Sequence, residues 1–180
     1  AEKAMAFCGF STRKPVILVM GGSLGAASVN ENIRKILPSL LPDFHVIHLC
    51  GKGKLDSSLK QTEGYVQFEY IKDELADLFA LSDLIISRAG ANAICEILAL
   101  QKPNLLIPLP ARASRGDQIL NARSFERQKF SIVLEEDNIT EKTLLSAIRE
   151  LHCHRETYID SMKQSNLMDS ITRITNLFEE

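Results

Sequence analysis

The sequence is poor in several features that would narrow its role at once. Tryptophan is absent, and only four of the 180 residues are cysteine. Cys8, Cys50, Cys95 and Cys153 are scattered without a CxxC pair. They therefore lack the spacing of a zinc knuckle or a disulfide framework, and the pattern suits reduced thiols in a cytosolic chain. Neither sign of charge dominates: 21 basic against 23 acidic residues give a net charge of −2. That leaves no electrostatic footprint for nucleic acid or an anionic membrane surface. No apolar run approaches the roughly 20 residues a membrane-spanning helix needs. The first ten residues do not pair a basic region with an apolar one, as a secretory signal would. They also lack an initiator methionine, which raises the expectation of a chain cut or processed from a longer one.

What is present is a soluble composition, 45% hydrophobic and 24% charged, enough for one domain with a sizeable core. Short β-branched runs alternate with amphipathic stretches. Residues 15–20, Pro-Val-Ile-Leu-Val-Met, form a brief continuous apolar run, as expected of a strand buried on both faces. Further strands are predicted over 44–49, 65–70, 84–87, 104–107 and 131–134. Helices are predicted over 28–41, 73–81, 91–100 and 118–128, with two or three more from residue 140 onward. Strict alternation of this kind predicts an α/β fold, a doubly wound, Rossmann-like parallel sheet. Ligands of such sheets bind beyond the carboxyl ends of the strands, so the residues after each strand carry the functional reading.

The first strand runs into Gly21-Gly22-Ser23-Leu24-Gly25-Ala26. Glycines there allow a tight turn and leave N–H groups exposed at a helix N-terminus, which favours a phosphate. The spacing matches neither the dinucleotide fingerprint nor the Walker loop. It does satisfy GxSxG, the nucleophile elbow of α/β-hydrolases, with Asp137 and His152 or His154 as conceivable partners of Ser23. That reading lacks the upstream strand and loop from which such enzymes build an oxyanion hole.

After the fourth strand comes Ser87-Arg88-Ala89-Gly90-Ala91-Asn92-Ala93-Ile94-Cys95-Glu96. The small residues offer the N–H groups of Ala91, Asn92 and Ala93 to an anion. Glu96 lies about 7 Å further along the helix, a reach suited to the ribose hydroxyls of a nucleotide whose phosphates sit at the helix end. A partly buried glutamate beside Ile94, Ile97 and Leu98 would in any case need a partner. The loop after the fifth strand ends in Asp117-Gln118, a pair able to exchange hydrogen bonds with sugar hydroxyls, although Asp117 is equally placed to cap the helix. Two metal-like groups are discounted. His45 and His48 fall on opposite faces of one strand, and His152-Cys153-His154 splay around a helix.

Taken together, GGSLGA, ISRAGANAICEILAL and PLPARASRGDQILNA resemble, in order and spacing, the C-terminal domain of the MurG family. The resemblance runs from about Lys14 to at least Leu134. It implies the donor half of a GT-B glycosyltransferase, transferring N-acetylglucosamine from UDP-N-acetylglucosamine to the lipid-linked muramyl-pentapeptide precursor of peptidoglycan. It implies that Ser23, flanked by Gly22 and Gly25, contacts the donor diphosphate and that the backbone of Ile71 reads the uracil. Ala91, Asn92 and Ala93 would approach the α-phosphate, Glu96 would hold the ribose, and Asp117 and Gln118 would read the sugar. It further implies an inverting reaction without metal or cofactor. No catalytic residue is expected in this chain, because the base and the membrane-facing patch belong to an acceptor-binding N-terminal domain expected to be absent here. The full-length enzyme would sit in the cytoplasm against the inner face of the membrane. The expected layout is a linker remnant over 1–13, the nucleotide-sugar domain over 14–165 and a C-terminal helix over 166–180. Two alternatives remain: a separate sugar-nucleotide-binding subunit that needs a partner chain, and a related lipid glycosyltransferase or epimerase.

Overall fold

A computed structural model describes residues 2–22, 26–113 and 115–165. Six strands lie in one sheet: β1 (Val16–Met20), β2 (His45–Leu49), β3 (Tyr65–Phe68), β4 (Leu84–Ser87), β5 (Asn104–Leu106) and β6 (Ser131–Val133). All five pairings are parallel, in the order β3-β2-β1-β4-β5-β6. The expected doubly wound sheet is therefore observed. Helices α1 (Glu2–Cys8), α2 (Ala26–Leu40), α3 (Leu75–Leu81), α4 (Ala91–Ala99), α5 (Asp117–Arg127), α6 (Glu141–Cys153) and α7 (Arg155–Lys163) cover its two faces. The C-terminal helix expected over 166–180 lies outside the described residues.

Burial on both faces explains why the strands read as continuous apolar runs. In β1, Val16 and Leu18 join a core that includes Leu78, Ile97 and Phe125, while Ile17 and Val19 join one built with Ile33, Ile36 and Leu144. Asp83 anchors the start of β1, accepting a 2.8 Å hydrogen bond from the Val16 N–H. Residues 2–13, expected as a linker, include α1, and Ala4, Cys8 and Phe10 are buried. Burial pushes the Cys8 thiol up to about 11, which keeps it protonated and poorly nucleophilic.

His45 and His48 do fall on opposite faces of β2. His45 stacks on Phe10 with ring centroids 4.2 Å apart, while His48 sits in a directional chain under α2. The Asn30 side-chain amide donates to the Cys50 carbonyl at 2.9 Å, which turns Asn30 Oδ1 toward His48 Nε2, also at 2.9 Å. His48 Nε2 must then carry the proton, leaving Nδ1 to accept from the Tyr65 hydroxyl at 2.9 Å. Every polar atom in that chain has a partner, which is what permits its burial.

The neutral imidazole is held well below its ordinary range, at about 3, by burial and by repulsion from the Arg34 guanidinium. Between that value and the unfolded value near 6.5, the unfolded chain binds a proton that the folded chain excludes. Stability therefore falls as pH drops through this window. At about 1.4 kcal/mol per pH unit, His48 should remove about 2 kcal/mol between pH 6.5 and pH 5. Urea unfolding of the wild type and of His48→Gln at pH 7.5 and 5 measures this. The variant should be less stable at pH 7.5 yet lose less on acidification; equal losses in both chains would contradict the assignment.

Candidate functional site

The strand order reverses between β1 and β4. β2 and β3 continue to one side of β1, and the chain then returns to place β4, β5 and β6 on the other. Connections that diverge in this way leave a crevice at the carboxyl ends of the two central strands. A cleft of about 550 Å³ opens there, lined by Met20, Gly21 and Gly22 from the end of β1, and by Ser87, Arg88 and Gly90 from the end of β4. Ala91, Asn92, Ala93 and Glu96 of α4, Leu109 and Gln118 complete it. A larger depression, about 740 Å³, runs along α6, but its lining comes from residues 141–154 alone and includes no glycine turn.

The first turn of α4 supplies the donors. Gly90, at the cap position, has extended backbone and no side-chain cap bond. The first intrahelical bond runs from the Ile94 N–H to the Gly90 carbonyl at 3.0 Å. The N–H groups of Ala91, Asn92 and Ala93 have no partner among the described residues, so they face the cleft at the positive end of the helix dipole. Ile94, Ile97 and Leu98 turn into the core, which aims the opposite side of the helix at the cleft. Glu96 is exposed there rather than partly buried as the sequence suggested, and its carboxylate makes no hydrogen bond or ion pair among the described residues.

Gln118 reaches the same cleft from the first turn of α5. The Leu109 N–H donates to Gln118 Oε1 at 3.1 Å. Because a backbone N–H can only donate, this bond identifies which end of the amide is oxygen. The Nε2 end lies toward Gly90, 4.0 Å from where a β-carbon there would stand. Gln118 is thus presented chiefly as a donor, not as the symmetric donor and acceptor that its side chain would allow.

The structure therefore brings Gly22, Ala91, Asn92, Ala93, Glu96 and Gln118 into one cleft. It does not bring Ile71 or Asp117 into the lining. Ile71 follows β3 with its side chain in the core, although its own N–H and C=O find no partner among the described residues. Asp117 is exposed at the first position of α5. Gly116, with φ +83, occupies the cap position without a side-chain bond, so Asp117 is not the cap. Ser23 and Gly25 lie outside the described residues. The other candidates for a hydrolase triad are engaged elsewhere: Asp137 pairs with Arg112 at 2.7 and 2.9 Å, His154 Nδ1 bonds the Glu150 carbonyl, and His152 packs edge-on against Phe44. No group of three His, Cys, Asp or Glu is placed to hold a metal among the described residues.

Arg88 is the residue that sequence reading passed over. It is buried at the end of β4, and its guanidinium donates to the carbonyls of Ile107 at 3.1 Å and Pro108 at 3.3 Å. Glu136 Oε2 stands 2.5 Å from the same nitrogen. A cation placed between an apolar strand and a run of small residues was the available signal, since such a residue has to find a buried counter-charge.

Residues 16–176 match the glycosyltransferase family 28 C-terminal domain. The chain belongs to this family. Its relatives include an enzyme of Lachnospira eligens, 60% identical over 96% of this chain, and one of Clostridium perfringens, 51% identical over 99%. Both are named UDP-N-acetylglucosamine–N-acetylmuramyl-(pentapeptide) pyrophosphoryl-undecaprenol N-acetylglucosamine transferase. The chain spans about half the length of these curated relatives, 49% and 50%. Among solved structures, Acinetobacter baumannii MurG superposes with a TM-score of 0.73 over 91% of this chain and 50% of its own, at 22% identity. The glycosyltransferase of kitacinnamycin superposes with a TM-score of 0.74 over 95% of this chain and 45% of its own, at 20% identity. The family 28 domain thus has the fold of a GT-B half, and the MurG resemblance holds over nearly the whole chain.

Gly22 of the family 28 domain adopts φ +73, a left-handed conformation, with Arg88 Cγ 3.8 Å from where a β-carbon would stand. Space is adequate, so alanine there should be opposed by backbone strain alone, about 1–2 kcal/mol. Urea unfolding of Gly22→Ala tests this, and undiminished stability would mean that the turn does not require a positive φ.

Proposed function

We propose that the cleft binds UDP-N-acetylglucosamine and that the chain is the donor-binding half of an inverting transferase acting on the lipid-linked muramyl-pentapeptide. The observation that carries this reading is the convergence, at one switch point, of the unpartnered N–H groups of α4, the Gly21–Gly22 turn, Glu96 and Gln118. A diphosphate would lie against the helix N-terminus beside the glycine turn, with Ser23 and Gly25 completing that turn. Peptide dipoles held rigidly there would stabilise the charge that develops on the departing UDP. Glu96 would accept from the two ribose hydroxyls. The free peptide groups of Ile71 would read the uracil edge. Gln118 Nε2 would donate to a hydroxyl of N-acetylglucosamine, with Asp117 near enough in sequence to accept from another.

The acceptor hydroxyl would be deprotonated by a base outside this chain and would attack the anomeric carbon as the bond to the diphosphate breaks, inverting the centre. On this reading the chain alone binds donor without transferring it. The full enzyme would work in the cytoplasm at the inner membrane surface. No helix among the described residues is long and apolar enough to cross a membrane, and the acceptor half would supply the membrane contact. The names carried by the relatives support both substrates.

Isothermal titration of the chain with UDP and with UDP-N-acetylglucosamine, in EDTA, tests the reading. Both should bind, and Glu96→Ala should weaken UDP by about 1–3 kcal/mol, the usual range for a hydrogen bond to a charged group. Because the Glu96 side chain is exposed and its carboxylate has no partner among the described residues, the variant should unfold within about 0.5 kcal/mol of wild type. An unchanged UDP affinity would remove Glu96 from the ribose site; failure of the wild type to bind either nucleotide would remove the reading itself.

A further inference from the structure

The pair of buried Arg88 and half-buried Glu136 lies beside the cleft, and only Arg88 lines it. Arg88 side-chain exposure is 6% and that of Glu136 is 16%. Glu136 belongs to a short 3-10 turn, Glu136–Asn138, that follows β6. Its neighbours are also engaged, Glu135 with Arg123 at 3.1 Å and Asp137 with Arg112 at 2.7 Å, but these two pairs are exposed. Exposed pairs are screened and hold little. A guanidinium cannot shed its proton, so the buried Arg88 needs its counter-charge where it stands.

The same guanidinium nitrogen that meets Glu136 holds the carbonyls of Ile107 and Pro108. Those residues begin the loop that leads to α5. The very next residue, Leu109, donates its N–H to Gln118 Oε1. An unbroken series of contacts therefore runs from the Glu136 carboxylate through Arg88 and the 107–109 backbone to the Gln118 amide. Its end effect is to occupy Oε1 and leave Nε2 for the cleft.

We infer that Arg88 and Glu136 are positioning residues for the donor sugar: together they set the backbone of residues 107–109 and hence the orientation in which Gln118 meets the ligand. Glu136 does not line the cleft and meets it only through Arg88, yet on this inference it determines how strongly the sugar is distinguished from its absence. Without Glu136, the buried cation is drawn away from the carbonyls toward solvent, the loop start loosens, and the Leu109 N–H no longer fixes the amide. This inference rests on the donor-binding reading above.

The test compares UDP with UDP-N-acetylglucosamine by titration on the wild type, Glu136→Ala, Gln118→Ala and the double variant. Glu136→Ala should weaken UDP-N-acetylglucosamine about fivefold more than it weakens UDP, the scale of one hydrogen bond. In a Gln118→Ala background the same substitution should produce no further sugar-specific loss, because the two residues act in series. Glu136→Gln keeps an acceptor for Arg88 and should fall between wild type and Glu136→Ala; it provides the reading if the alanine variant does not fold. Equal losses for both ligands, or sugar-specific losses that add in the double variant, would overturn the inference while leaving donor binding intact. A wild type that binds neither nucleotide would instead overturn the donor reading, and this inference with it.

Discussion

The pairing of β1 with β4 is the contact on which the site depends. Met20 stands in register with Ser87 at the carboxyl end of that pair, so the turn after β1 and the turn after β4 leave the sheet side by side. Both strands are buried on both faces, which fixes the pairing through apolar side chains on each side of the sheet and not through the turns themselves. The two turns are then free to be built from glycine and alanine, residues that would contribute little to a core. A slip of register by one residue would reverse the faces of Ile17 and Leu18 and would separate the turns as well. Stability and the geometry of the cleft are thereby set by the same few side chains.

Polarity in the cleft is divided by distance from the sheet. Closest to it are main-chain groups: the Gly21–Gly22 turn and the opening N–H groups of α4, whose positions the fold dictates. Further out are the side chains of Glu96 and Gln118, one an acceptor and the other presented as a donor. Main-chain donors suit the part of a ligand that carries charge, because they need no reorganisation when that charge increases. Side chains suit the part that must be distinguished by its hydroxyls, where an unmatched polar group carries the penalty. Arg88 lines the same cleft, but one of its terminal nitrogens is turned to the carbonyls of Ile107 and Pro108 and to Glu136.

The sheet was legible in the sequence because its strands are short, apolar and separated by unmistakable amphipathic helices. The predicted ends of β4 coincide with those observed, and the other strands differ by one or two residues. The segment before β1 was not legible. Helix α1 has seven residues, as α3 does, but no strand precedes it to mark it as part of the alternation that revealed α3. The glycine turn and the α4 N-terminus were readable because their chemistry is local: small residues, a strand before them and a helix after. Glu96 lines the cleft, but not for the reason that its neighbours suggested. Its apolar neighbours indicated a buried helix, whereas three of them, Ile94, Ile97 and Leu98, take one side and leave Glu96 on the open one.

What could not be read is what arises between segments distant in the chain. The contact of Arg88 with Glu136 spans 48 positions along the chain, and nothing in either local sequence names the other. The orientation of Gln118 depends on a backbone N–H nine residues earlier, and the loop between them carries no periodic signal that would predict their approach. A side chain's identity can be inferred from the chemistry a site requires; which of its atoms faces the ligand depends on what already occupies the others. For Gln118 that occupant is Leu109, held in turn by a buried cation. On the donor-binding reading, the selectivity of the cleft would belong to the strand ends taken together, and a substitution in the turn after β6 would alter it without approaching the ligand.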